Sequence, residues 1–156
     1  FFFSIGLIYW VALFTIVLER LVFHDPLPAK LKPTLFILVA PPAVAFIAWV
    51  KLNALETGHP VLDNAGRLLY FFGMFTLLLL FFRIRPRKTT FFVSWWAYTF
   101  PMAAATLSTI LMAHITKLDF YHNLAIGLLI ATTVVNIIVL FATLRAAIKG
   151  EVCVPE

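Results

Sequence analysis

From Thr90 to Ala113 the sequence carries no charged side chain, and a proline, Pro101, interrupts that run near its middle. An uncharged apolar run of this length suits a helix crossing the roughly 30 Å hydrocarbon core of a bilayer, where every backbone group must find its partner inside the protein. Proline has no amide hydrogen and its ring crowds the carbonyl four residues earlier. Pro101 is therefore expected to free the carbonyl of Ala97 and bend the helix. A freed carbonyl at mid-depth is tolerated where protein or a water-filled cavity covers it. The stretch Ser94-Trp95-Trp96-Ala97-Tyr98-Thr99-Phe100-Pro101 thus reads as part of a helix that faces an interior or a lumen.

Four further apolar runs complete an all-α integral membrane chain of five expected transmembrane helices, over 1–18, 34–50, 66–82, 90–115 and 123–148, in one domain fragment. Only 12% of the residues are charged, against about 25% in soluble domains, which excludes a soluble fold. The formal charge of +5 does not point to nucleic acid, because the basic residues stand at the ends of apolar runs. Arg20, Lys30, Lys32, Arg83, Arg85, Arg87, Lys88, Arg145 and Lys149 follow the odd-numbered runs, whereas Lys51, Arg67 and Lys117 occupy the other links. The positive-inside rule then places the C-terminus in the cytoplasm. The expected location is a plasma membrane, as in a bacterial inner membrane, with the lipid bilayer as a partner. The single Cys153 forms no internal disulfide and matches no metal spacing. The first run opens without an initiator methionine, a basic leader or a cleavage site, so the chain is expected to be the C-terminal part of a longer polytopic protein.

The second run holds Pro41-Pro42, which should free the carbonyls of Ile37 and Leu38. Proline-broken runs thus alternate with unbroken ones, suggesting hairpins whose bent members form an inner ring and whose straight members form an outer shell. Ser94, Ala97, Pro101, Ala104, Ala105 and Ser108 fall on one small-residue stripe, as do Thr34, Pro41, Ala45 and Ala48. Small residues serve close helix packing or line a narrow passage. Packing is the commoner use. Gly127, Ala131 and Asn136 on the fifth run read as helix-packing residues, Asn136 by a hydrogen bond between helices. Trp49, Trp95 and Trp96 read as interfacial or packing aromatics. The segments His24–Pro28 and Glu56–Pro60 read as turns, with Pro33 near a helix start.

No paired carboxylates, nucleophile with its base, or phosphate-binding glycine loop is present, so no catalytic residue is assigned and no enzyme is expected. His24, His59, His114 and His122 lie at run ends or in links, unlike haem ligands buried on facing helices. No metal ligand or cofactor is assigned. A haem or redox subunit and a non-conducting accessory membrane protein stay open as alternatives.

Two motifs resemble a known family, the tellurite-resistance/C4-dicarboxylate transporter (TehA) family, which includes the plant slow anion channels and fungal malate and sulfite transporters. The segment from Lys32 through Pro41-Pro42 to Ala45 resembles its seventh helix, and Ser94 to Pro101 resembles its ninth. The resemblance implies a ten-helix protomer of five hairpins around a central pore, usually trimeric, of which this chain supplies the sixth to tenth helices. It also implies that the phenylalanine before the ninth-helix proline, here Phe100, is the pore gate. Pro41, Pro42, Ala45, Ala97, Pro101, Ala104 and Ser108 become candidate kink and lining residues. Met112 stands where the plant branch tends to carry tyrosine, so plant-type regulation is not carried over.

Neither bent run has a mid-depth charge, which favours weak anion binding over tight capture. The expected mechanism is a narrow apolar passage for small inorganic anions or dicarboxylates, with tellurite or sulfite among the candidates. Helix-break dipoles and basic mouths such as Arg83 to Lys88 would favour anions, and Phe100 would block flow until it rotates.

Overall fold

The computed structural model describes residues 1–83 and 91–150. Its helices are α1 (Phe2–Phe23), α2 (Ala40–Thr57), α3 (Asn64–Arg83), α4 (Thr99–Thr116) and α5 (Asp119–Ile148), with 3-10 helices over Ala29–Val39 and Val93–Tyr98 running directly into α2 and α4. Five segments, 2–23, 30–57, 64–82, 93–116 and 119–148, are each long and apolar enough to cross a membrane. The basic residues from Arg85 to Lys88 and Cys153 lie outside the described residues.

Several helices outrun their apolar cores for local reasons. α1 continues past Leu18 to Phe23, where the Arg20 guanidinium reaches forward to the carbonyl of Asp25 at 3.0 Å and Pro26 and Pro28 prevent further helix. α5 begins at Asp119, whose carboxylate suits the positive end of a helix. α2 stops at Gly58, which adopts φ 79° and returns its amide to the carbonyl of Ala54 at 2.9 Å. That left-handed turn is one that glycine makes without steric cost.

The two proline-bearing spans lie side by side and parallel. Phe36 meets Tyr98 edge-to-face at 4.7 Å at their 3-10 ends. Further along, Val39 clusters with Ala105, and Val50 with Met112. α3 lies chiefly against α2, and α5 chiefly against α4. Gly73 allows the first of these approaches: a Cβ there would stand 3.4 Å from the backbone nitrogen of Ala43 and 3.6 Å from the Pro42 ring. α1 contributes no buried residue and rests on the others through Phe3 against Trp49 and through Trp10 and Phe14 against Phe72. α3, which carries no proline, is as buried as the proline-bearing span that leads through α2, so these five helices alone do not sort proline-bearing spans inside and proline-free ones outside.

Water does not drive helices together inside a bilayer, so packing and hydrogen bonds hold this arrangement. Tyr70 on α3 donates to Thr109 Oγ1 on α4 at 3.2 Å, and the Thr106 and Thr132 hydroxyls join α4 to α5 at 2.9 Å. Each such bond is worth about 0.6 kcal/mol on average. Asn136 does not serve this purpose: its amide bonds the Thr132 carbonyl one turn back in the same helix. Gly127 is exposed and nothing approaches within 4 Å of where its Cβ would stand, so it is no packing point among the described residues. The interhelical hydrogen bonds fell to threonines because a short hydroxyl reaches across where small residues already bring backbones close.

Candidate functional site: the exposed face of two broken helices

The chain does not open at its prolines. Ahead of Pro41 and Pro101 the helix tightens, so that the Ala40 amide bonds the carbonyl of Ile37 and the Thr99 amide bonds that of Trp96. Switching from the fourth residue to the third is how a helix keeps a carbonyl paired near a missing donor. The expectation that Ile37 would lose its partner is corrected accordingly. Leu38 is different. Its third and fourth successors are Pro41 and Pro42, and neither has an amide hydrogen. That carbonyl therefore has no helical donor, on the turn where α2 begins. Because the chain stays helical through each break, the helix starts at Ala40 and Thr99 are not the bare dipoles that two separate half-helices would present.

Around these breaks α2 and α4 follow one template. Each has 18 residues, a buried proline at its third position (Pro42 and Pro101), a 3-10 lead-in and a left-handed stop, Gly58 in one and Lys117 in the other. The stops match in bonding as well: the Lys117 amide returns to the Ala113 carbonyl at 2.9 Å with φ 57°. In this alignment Pro41 and Phe100 are equivalent, each directly before the buried proline.

The template separates a packing face from an open face. Pro42, Pro101 and Ser108 are fully buried, and Ala104 is nearly so. These small residues bring the helices together instead of bordering an open surface of these five helices. Ala45 and Ala97 are half-buried, as is Pro41. The open face of α4 runs through Trp96, Phe100, Ala103, Leu107, Ile110 and His114, all exposed, at the spacing of one helix stripe. The matching stripe on α2 is Ile37, Pro41, Val44, Ala48, Lys51 and Leu55. Phe100 is 63% exposed, one residue from fully buried Pro101. No charged side chain stands on either stripe near the breaks, and the first in order is Lys51.

Polar contacts fix the ends of this unit. The Ser94 hydroxyl bonds the Lys30 carbonyl, tying the two 3-10 helices, and Trp96 Nε1 donates to Thr143 Oγ1 on α5 at 3.0 Å. At the other end Trp49 Nε1 donates to both carboxylate oxygens of Asp63, at 2.9 and 3.0 Å, while the Gly66 amide donates to Asp63 Oδ1 at 2.7 Å. The Gly66 amide is the main cause holding the Asp63 carboxyl below its ordinary value, with Trp49 and Arg67 assisting against partial burial. Trp49 and Trp96 thus act as positioning aromatics. Sequence reading missed Asp63 as the joint between α2 and α3, though Asp immediately before a helix start is its signal. Among the described residues no group of three His, Cys, Asp or Glu side chains could hold a metal ion.

A family model described as voltage-dependent anion channel, SLAC1, matches residues 1–144. The chain is similar to the S-type anion channel SLAH2 of Arabidopsis thaliana, with 43% identity over 111 residues, covering 70% of this chain and 20% of that protein. It is similar to S-type anion channel SLAH3 of the same plant, with 34% identity over 145 residues, covering 92% of this chain and 22% of the relative. The guard cell S-type anion channel SLAC1, also of Arabidopsis thaliana, is 28% identical over 157 residues, covering 100% of this chain and 27% of the relative. The chain therefore spans about a quarter of the length of these relatives or less.

Proposed function

The chain belongs to the voltage-dependent anion channel (SLAC1) family, and on that premise we propose that it supplies one side of an anion conduit, bordered by the open stripes of α2 and α4. The observation that carries this reading is the pair of parallel, proline-broken helices that turn uncharged, exposed faces outward at the level of Phe100. The Leu38 carbonyl supports it. A backbone acceptor without a helical donor is tolerated at membrane depth where protein covers it or water reaches it, and it sits on the turn that leads to Pro41.

Phe100 then acts as the gate. Its ring is 63% exposed beside the fully buried Pro101, so little of the packing in these five helices opposes rotation about its side-chain bonds. Its neighbours along the passage are Pro41 and Val44 on α2 and Ala103 and Leu107 on α4. Pro41, Ala45 and Ala97 border the lumen in part. Pro42, Pro101, Ala104 and Ser108 set its width by fixing how closely the helices pack. With no mid-depth cation to hold it, an anion binds weakly and leaves readily. Small inorganic anions suit this passage best, with dicarboxylates, sulfite and tellurite as further candidates. The complete protein is proposed to assemble as a homotrimer in a plasma membrane, with its C-terminus cytoplasmic and its remaining helices closing the ring.

The test is anion flux through the full-length protein in liposomes, comparing wild type with Phe100→Ala. Removing the ring is expected to raise flux at least several-fold while leaving the folded fraction unchanged. Equal flux from a folded variant removes Phe100 from the gate.

A further inference from the structure

α5 is 30 residues long, yet the residues it buries are only Ala125, Thr132 and Val139. On its outer side Val134, Ile138, Phe141, Arg145 and Lys149 follow one another at intervals of three or four residues, and all five are exposed. That spacing makes them one stripe along the helix. The deeper part is bulky and apolar, with Val134 48%, Ile138 50% and Phe141 67% exposed, and the last turn and a half is cationic. Helices that pack together in a membrane favour glycine, alanine and serine where they touch, and none of these stands on the stripe. From Val134 to Arg145 the rise is about 16 Å at 1.5 Å per residue, close to half of the roughly 30 Å hydrocarbon core. The apolar part is therefore as deep as one leaflet.

The charge on this stripe has no counterweight nearby. Beyond Asp119, in its first turn, α5 contains no acidic residue, and among the described residues no carboxylate pairs with Arg145. Arg20, at the matching end of α1, is engaged differently: it bonds the carbonyl of Asp25 at 3.0 Å and has Glu19 beside it in the chain. Cations suit the negative end of any helix, which explains the sign of Arg145 and Lys149 but not the leaflet-deep apolar stripe that runs up to them.

We propose that this stripe binds an anionic phospholipid, with the phosphate between Arg145 and Lys149 and an acyl chain along Phe141, Ile138 and Val134. The site lies apart from the conduit and does not rest on it. A guanidinium meets phosphate oxygens with two parallel N–H donors, and the neighbouring ammonium adds a point charge. A zwitterionic lipid offers the same phosphate but brings its own cation, which the two side chains repel. The pair thus selects headgroups with a net negative charge.

Native mass spectrometry tests this on the full-length protein, purified in neutral detergent and supplied with equal amounts of phosphatidylglycerol and phosphatidylcholine. Retention of phosphatidylglycerol is expected to exceed that of phosphatidylcholine about tenfold, since each cation near a lipid surface favours anionic lipid. Arg145→Gln with Lys149→Gln is expected to abolish the preference, and Arg145→Lys with Lys149→Arg to keep most of it, both unfolding in phosphatidylcholine at the wild-type temperature. A preference that survives in the glutamine variant overturns the site. So does glycerol 1-phosphate that displaces the lipid as well as phosphatidylglycerol itself does, because the apolar stripe would then add nothing. What covers the stripe is read from Phe141→Cys in a Cys153→Ser background in liposomes, where a lipid-soluble maleimide is expected to label it. Failure to label, or a disulfide between two copies, means that protein covers the stripe, and overturns the proposal.

Discussion

Pro42 and Pro101 occupy the same place in two helices of equal length, each buried at the third position after a 3-10 lead-in. The equivalence matters because it makes the preceding residues equivalent too. Where one helix presents the fixed ring of Pro41, the other presents the rotatable ring of Phe100. One template thus places a half-buried proline ring and an exposed phenylalanine ring at equivalent positions of the two helices.

The approach of α3 to the first break depends on Gly73. An alanine there would meet Ala43 and Pro42 at ordinary contact distances of 3.4 to 3.6 Å, whereas a leucine has nowhere to go. Gly73→Ala is expected to leave thermal stability in detergent within about 1 kcal/mol of wild type, and Gly73→Leu to cost about 1–3 kcal/mol. Thermal unfolding of the two variants side by side checks this.

The helix stops make a second comparison. Gly58 and Lys117 both adopt left-handed backbone, at φ 79° and 57°. A side chain in that region costs roughly 1–2 kcal/mol relative to glycine. Gly58→Ala is expected to lower stability by about 1 kcal/mol and Lys117→Gly to raise it by a similar amount. Unfolding curves that fail to move in opposite directions would contradict this assignment.

Asp63 joins Trp49 on α2 to the first turn of α3, and its carboxyl is held below its ordinary value of 3.8, chiefly by the Gly66 amide. A depressed carboxylate contributes stability above the unfolded value, and that contribution is lost as pH falls through the folded value. The joint is therefore expected to be intact from neutral pH to about 4 and to loosen below that. Trp49 fluorescence, read in a variant lacking the other tryptophans, should change in this acid window, and Asp63→Asn should abolish the change.

The buried hydroxyl pairs are expected to contribute modestly. Tyr70→Phe removes the bond to Thr109, yet Thr109 keeps its bond to the Ala105 carbonyl at 2.9 Å. The cost should be about 0.5–1 kcal/mol. Thr106→Val, which strands the Thr132 hydroxyl, should cost at least as much. Thermal unfolding of both variants measures the difference.

Much of this fold could be read from residues because bilayer physics leaves few choices. Apolar runs specified five spans, and the prolines marked the two spans that open with a 3-10 lead-in. The helix ends were less legible, since Asp119, Gly58 and Arg20 act through caps and carbonyl contacts beyond the apolar core. The small-residue stripe was ambiguous at the site itself. Ala104 and Ser108 have the size that suits either a lumen or a helix contact, and only packing distinguishes the two. The tightening at Ile37 was hidden for a similar reason: a missing donor can be answered by a change of helix type as well as by a kink.

The most direct measurement is water access along the open stripe of α4. In a full-length protein with Cys153→Ser, the variants Ala103→Cys and Leu107→Cys are treated with a charged, water-soluble thiol reagent, with Phe141→Cys on exposed α5 as the control. If the stripe borders an aqueous passage, the first two should react readily and their modification should block anion flux, while the control stays unmodified. If all three react only with reagents that partition into lipid, the face carrying Phe100 is turned to the bilayer and the conduit is elsewhere.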